Sequence, residues 1–162
     1  MPGRSVNEKA FEVTTPTDRE IVMRRTFDVP RTKVFEAWTK AEHVAHWWDP
    51  SGVPLAACEI DLRPNGAFRW VHGGPGGERY VFAGAYREIA PPEKLVFSVR
   101  MFPSSSETIG TLIFIEDGNK AKLTMTIECA TRNDRDALLQ MRVDAGTAKT
   151  LQNLASYLSK TV

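Results

Sequence analysis

The segment NDRDALLQMRVDAGTAKTLQNLASYLSK, Asn133 to Lys160, decides how the rest of the chain is read. It is the longest stretch with helical periodicity, and it contains no proline. Leu138, Val143, Ala145, Ala148, Leu151, Leu154, Ala155 and Leu158 recur mainly at spacings of three and four. That spacing predicts one long helix with a broad apolar stripe. Thr131, Asn133 or Asp134 is placed to cap its start, and Asp134 and Asp136 suit the positive end of its dipole. Gly146 interrupts the pattern, at a cost of about 1 kcal/mol relative to Ala. A close approach to another backbone or to a ligand accounts for it; so does a tolerated surface glycine.

Upstream of this helix the chain reads mostly as short strands. The run from Glu20 to Val29 puts Ile21, Met23, Arg25 and Phe27 on its more apolar face. Pro30 suits the first turn of a helix whose apolar face is Val34, Phe35, Ala37 and Trp38. A second short helix, Ala41 to Trp47, ends in the Trp47–Trp48 pair and the turn Asp49-Pro50-Ser51-Gly52. Six strands follow: Ala56–Leu62, Ala67–His72, Arg79–Ile89, Leu95–Phe102, Glu107–Glu116 and Lys120–Ala130. They are separated by short turns rich in Gly, Pro, Asn and Asp. Consecutive strands joined this way form an antiparallel sheet, and its apolar face needs the C-terminal helix as cover. Residues 1–18 read as a loose polar leader, in which Phe11 and Val13 are the residues able to dock on the sheet. Residues 19–162 read as a single domain.

Composition narrows the function. The chain has 162 residues, 42% apolar and 25% charged, with a formal net charge of +1. Its basic residues are scattered, so neither nucleic acid nor an anionic membrane is an expected partner. No apolar run approaches the ~20 residues that span a bilayer. The opening MPGRSVNEKA lacks the apolar core of an export signal, so a cytoplasmic location is expected. Cys58 and Cys129 sit in strand-like apolar contexts and read as small core residues rather than as a disulfide.

Four stretches, in this order and at these spacings, carry a family resemblance. They are RRTFDVPRTKVFEAWT (Arg24–Thr39), HVAHWWDPSG (His43–Gly52), DLRPNGAFRWV (Asp61–Val71) and GAYREIAPPEKLVFS (Gly84–Ser98). Together they resemble the START-like or Bet v-like superfamily, also called SRPBCC. More narrowly, they resemble its bacterial proteins grouped with the activator of heat shock protein 90 ATPase. The resemblance runs from about Glu20 to Leu158. It implies an α+β helix-grip fold, in which a curved antiparallel sheet grips a long C-terminal helix with an apolar cavity between them. It further implies binding of a hydrophobic small molecule such as a lipid, a polyketide or an aromatic compound. An enzyme of the polyketide cyclase or hydrolase kind using the same cavity is an alternative. So is an interaction module, chaperone-associated or homodimeric. The chaperone activator contacts its chaperone through a separate N-terminal domain for which this chain has no room, so chaperone contact is not expected. Two departures stand out. Asn65 occupies a position where the family usually has Gly, and it tolerates the same left-handed turn. Thr147 follows Gly146 where an aromatic residue is common, which leaves more room in the cavity.

Strand alternation locates the cavity wall. Phe68, Trp70 and His72 share one face, as do Tyr80, Phe82, Gly84, Tyr86 and Glu88. If those faces are concave, they line a pocket with Trp48, Phe97, Met101, Met125, Met141, Thr147 and Leu151; otherwise the same aromatics fill a solid core. His72, Tyr86 and Glu88 are the polar members and the candidates for proton transfer. Burial would raise the pKa of a carboxyl such as Glu88, whereas pairing with Arg69 or Arg100, or exposure, would make it ordinary. His43 and His46 lie three apart on a helix with Asp49 near, but zinc needs more ligands than these, and solvent-facing or capping roles are expected instead. No cofactor is expected. Gly73 to Gly77 matches a phosphate loop in composition only, because it joins two strands and lacks the Lys-Ser/Thr ending. There is no Gly-x-Ser-x-Gly elbow, and neither cysteine has an adjacent base. Asp61 and Arg63 read as structural pins of the turn at Pro64.

Overall fold

A computed structural model describes residues 11–49, 54–73, 79–102 and 106–161. Eight strands form one antiparallel sheet: β1 (Phe11–Thr14), β2 (Glu20–Phe27), β3 (Ala57–Ile60), β4 (Ala67–Gly73), β5 (Arg79–Ala90), β6 (Lys94–Phe102), β7 (Thr108–Asp117) and β8 (Lys120–Glu128). Helices α1 (Arg31–Thr39) and α2 (Ala41–Trp47) separate β2 from β3, and α3 (Arg132–Gln140) and α4 (Val143–Thr161) close the chain. The strand order is β1-β2-β8-β7-β6-β5-β4-β3. The short turns fix most of this order, since β3 to β8 pair each with the next. The exception is β2, which joins β8 across the gap that α1 and α2 create, with Ile21 opposite Ile127 and Phe27 opposite Ala121. This α+β arrangement is the expected helix-grip fold. No helix among the described residues is long and apolar enough to cross a membrane.

Period-2 alternation predicts the β2 face correctly: Ile21, Met23, Arg25 and Phe27 are all buried. The apolar positions of α1, Val34, Phe35, Ala37 and Trp38, are buried as well. Pro30 sits at the N-cap of α1, just before its first turn. The sheet starts earlier than the boundary at residue 19, because β1 pairs with β2 from Phe11 opposite Arg25 to Thr14 opposite Val22. Phe11 packs on the core, and Val13 stays exposed. Residues 1–10 of the expected leader lie outside the described residues.

The single helix expected over Asn133–Lys160 is two helices. Thr131 caps α3, its Oγ1 accepting from the Asp134 N–H at 3.0 Å. The helix stops where Arg142 takes a φ of +61°, and α4 starts afresh at Val143. Periodicity reads through the break because residues on both sides, Leu138, Met141, Val143 and Gly146, turn toward the same cavity. α4 buries Leu151, Leu154 and Leu158 and packs against α1, α2 and β2.

Candidate functional site

Between the inner face of the sheet and the pair α3–α4 lies an apolar cavity of about 570 Å³. All twelve residues expected at a binding site line it: Trp48, Phe68, Trp70, His72, Phe82, Tyr86, Phe97, Met101, Met125, Met141, Thr147 and Leu151. The strand pairing explains why. Phe68 and Trp70 lie opposite Gly84 and Phe82, and Tyr86 lies opposite Phe97, so successive inward positions build one continuous aromatic wall. Phe97 rests on Gly110, where even a Cβ would come within 2.6 Å of its ring. Leu95, Val99 and Tyr80 also line the cavity. They follow from the same alternation as Phe97 and Phe82. Trp38, Thr150 and the rim residue Arg142, which also line it, carry no comparable strand signal.

The wall is a network of edge-on and tilted rings. Centroids lie 4.6 Å apart for Trp48–Trp70, 5.3 Å for Trp48–Phe82, 5.3 Å for Phe68–Tyr86 and 5.6 Å for Phe68–Phe97. Such pairs add about 0.5–1.5 kcal/mol each beyond their buried area. The cavity is therefore bounded by side chains that hold one another in place.

The polar groups divide into engaged and open ones. Trp48 Nε1 donates to His72 Nε2 at 2.9 Å, and His72 Nδ1 lies 3.2 Å from Asp49 Oδ2. An indole N–H can only donate, so Nε2 is the acceptor and Nδ1 carries the proton given to Asp49. His72 and Asp49 are 12% and 13% exposed. α4 fixes the same corner: Thr150 Oγ1 donates to the Trp48 carbonyl at 3.1 Å and Asn153 Nδ2 to the Asp49 carbonyl at 2.9 Å. Both ring nitrogens of His72 are thus occupied by protein, and its geometry is that of a brace for Trp48. In the sequence Asp49 is legible as a turn residue and as a neighbour of His43 and His46; its 23-residue separation from His72 hides this contact.

Tyr86 differs. It is 3% exposed, and its hydroxyl has no hydrogen-bond partner among the described residues. Burial, with a smaller contribution from neighbouring Cys58, pushes its phenol well above the ordinary range. Burial and Glu59 push the Cys58 thiol up to about 11, so it is no nucleophile at neutral pH.

Glu88 is not in the cavity. The β5–β6 register shifts between Tyr86 and Glu88, and this bulge reverses the side-chain alternation. Glu88 emerges on the outer surface, 52% exposed, 3.5 Å from Lys94. Neither expected arginine is its partner; Arg69 instead lies 4.0 Å from Glu59. Of the two helix histidines, His46 is solvent-facing, as expected, and His43 is half-buried. Neither caps a helix: His43 Nδ1 hydrogen-bonds the Tyr157 hydroxyl, and His46 stacks on the Tyr157 ring at 6.1 Å, both tying α2 to α4. Asp49 meets His72. Arg63 Nε meets Asp61 Oδ2 at 2.9 Å, as expected for the turn at Pro64. Residues 74–77 of the glycine tract and 50–52 of the turn after Asp49 lie outside the described residues.

Residues 28–159 match the family model described as Activator of Hsp90 ATPase homolog 1-like protein. Similar solved structures include a protein of Rhodobacter sphaeroides, 22% identical with a TM-score of 0.86, covering 93% of this chain and 98% of its own. A protein of Nitrosomonas europaea is 20% identical with a TM-score of 0.82, over 91% and 98% of the two chains. One from Arthrobacter aurescens is 16% identical with a TM-score of 0.83, over 92% and 91%. At these identities the likeness carries the fold and no more. No curated protein matches the chain.

Proposed function

Because the chain belongs to the Activator of Hsp90 ATPase homolog 1-like family, we propose that it binds a hydrophobic small molecule in the cavity between its sheet and its C-terminal helices. One observation carries this reading: an aromatic- and methionine-lined cavity of about 570 Å³, within the usual size range of small-molecule sites. A ligand burying roughly 300 Å² of apolar surface there gains about 7 kcal/mol before the costs of association. Tyr80 and Met141, both exposed, stand on the rim and would be the first residues an entering molecule meets.

Binding without reaction fits these residues better than catalysis does. Glu88 faces outward, His72 has both nitrogens engaged, and Tyr86 is held protonated by burial. Among the described residues, the large exposed apolar side chains away from the rim, Val13, Leu62 and Ile115, stand on separate segments and give little support to an interaction module. Equilibrium dialysis against fluorene, a rigid hydrocarbon smaller than the cavity, tests the proposal. Saturable uptake of one molecule per chain is expected; uptake that never saturates, or none at all, would overturn it.

A further inference from the structure

We infer that the Tyr86 hydroxyl is the cavity's polar anchor, and that the ligand is a ring-bearing apolar molecule presenting a neutral carbonyl-type oxygen to it. This inference rests on the cavity-binding reading above and adds the ligand's chemical class and orientation. Three observations support it.

The first is the state of the polar groups deepest in the cavity wall. The indole N–H groups of Trp38 and Trp70 are sealed off without an acceptor. His72 is spent between Trp48 and Asp49. The Tyr86 hydroxyl has no partner among the described residues but is not sealed in this way, so on a cavity-lining side chain it opens on the cavity. Of the lining hydroxyls that a ligand can reach without dismantling a hydrogen bond, it is the most deeply buried: Tyr80 is exposed, and Thr126 and Thr147 are half-buried.

The second is the direction of the hydrogen bond. Burial keeps the phenol protonated across the physiological range. A buried O–H without an acceptor is unfavourable, so the complementary ligand atom is an acceptor. A carboxylate does not fit, because a buried charge needs a buried counter-charge. The cation on the cavity lining, Arg142, stands at the exposed α3–α4 junction and is paired with Asp144 at 3.3 Å. A neutral carbonyl meets the requirement.

The third is what surrounds the hydroxyl. Phe68 and Phe97 flank Tyr86, with ring centroids 5.3 and 6.5 Å away. Aromatic walls offer both faces and edges to another ring. A flat ring system bearing the oxygen would thus lie among these rings, oxygen toward Tyr86, with its remainder directed to the rim.

Fluorene and fluorenone, which share a shape and differ by one carbonyl, separate the anchor from the cavity. In wild-type protein both bind. Tyr86→Phe is expected to weaken fluorenone about fivefold, the effect of one net hydrogen bond, and to leave fluorene within about twofold. Retained fluorene binding also reports that the variant is folded. The infrared carbonyl band of bound fluorenone should lie at lower wavenumber in wild type than in Tyr86→Phe. Equal effects of the substitution on both probes, or an effect on neither, would overturn the anchor and leave the cavity reading intact. Failure of fluorene to bind wild-type protein would overturn the cavity reading, and the anchor with it.

Discussion

Gly146→Phe is expected to stabilise the protein while removing its capacity to bind an apolar ligand. Gly146 lies in the first turn of α4, with its N–H bonded to the Arg142 carbonyl at 3.0 Å. A Cβ added there would meet no atom within 4 Å, and the residue lines the cavity. The glycine is therefore not explained by a close approach to another backbone, one of the expectations drawn from sequence. A phenyl group at this position would project into open space. The helix would regain roughly 0.5 kcal/mol of propensity, and partial burial of the ring would add about 1 kcal/mol. For a chain of this size that raises Tm by about 3–6 °C. The same ring would occupy volume that a ligand needs, so affinity for fluorene should fall by at least about tenfold. Calorimetric Tm and equilibrium dialysis on one preparation check both halves. A variant that is more stable and binds fluorene as tightly as wild type would place the ligand elsewhere.

Trp47→Ala should be among the most destabilising single substitutions, by about 3–5 kcal/mol. Trp47 is fully buried, and its Nε1 donates to the Ala37 carbonyl at 3.0 Å. Its ring meets Trp38 at 4.9 Å and Trp48 at 5.7 Å. Truncation would leave a large void behind the aromatic wall and deprive the Ala37 carbonyl of a donor. Against a usual total stability of about 5–15 kcal/mol, such a loss consumes a large share. The urea midpoint should drop sharply with an unchanged slope. A loss below about 1 kcal/mol would mean that α1 and α2 do not depend on this indole for their packing.

These two tryptophans also mark how far the sequence could be read. Trp47 and Trp48 are adjacent, yet one is sealed in the core and the other faces the cavity, tethered to His72. Helical periodicity separates them only once the orientation of α2 is known. Along the strands the inward face is legible from alternation alone. Phe68, Trp70 and His72 on β4, and Tyr80, Phe82 and Tyr86 on β5, keep the strict alternation of an inward face, and all six line the cavity. The same rule failed at Glu88, because one extra residue in a bulge reverses every side chain beyond it, and period-2 counting carries no signal for that. It failed differently at Arg142. There, a single left-handed residue ends a helix without disturbing the apolar stripe. The pairing of Asp49 with His72 is a tertiary contact with no local pattern. That the aromatics enclose space, and do not fill it, rested on the family resemblance; the alternation is the same for a hollow wall and a solid core.

Native mass spectrometry of the protein purified directly from its own host, alongside Gly146→Phe prepared identically, tests the binding function most directly. Wild-type protein should carry an apolar, neutral adduct at near-stoichiometric level, and the variant should be bare. A clean, unadorned mass for wild type, or the same adduct on both proteins, would contradict a ligand held in this cavity.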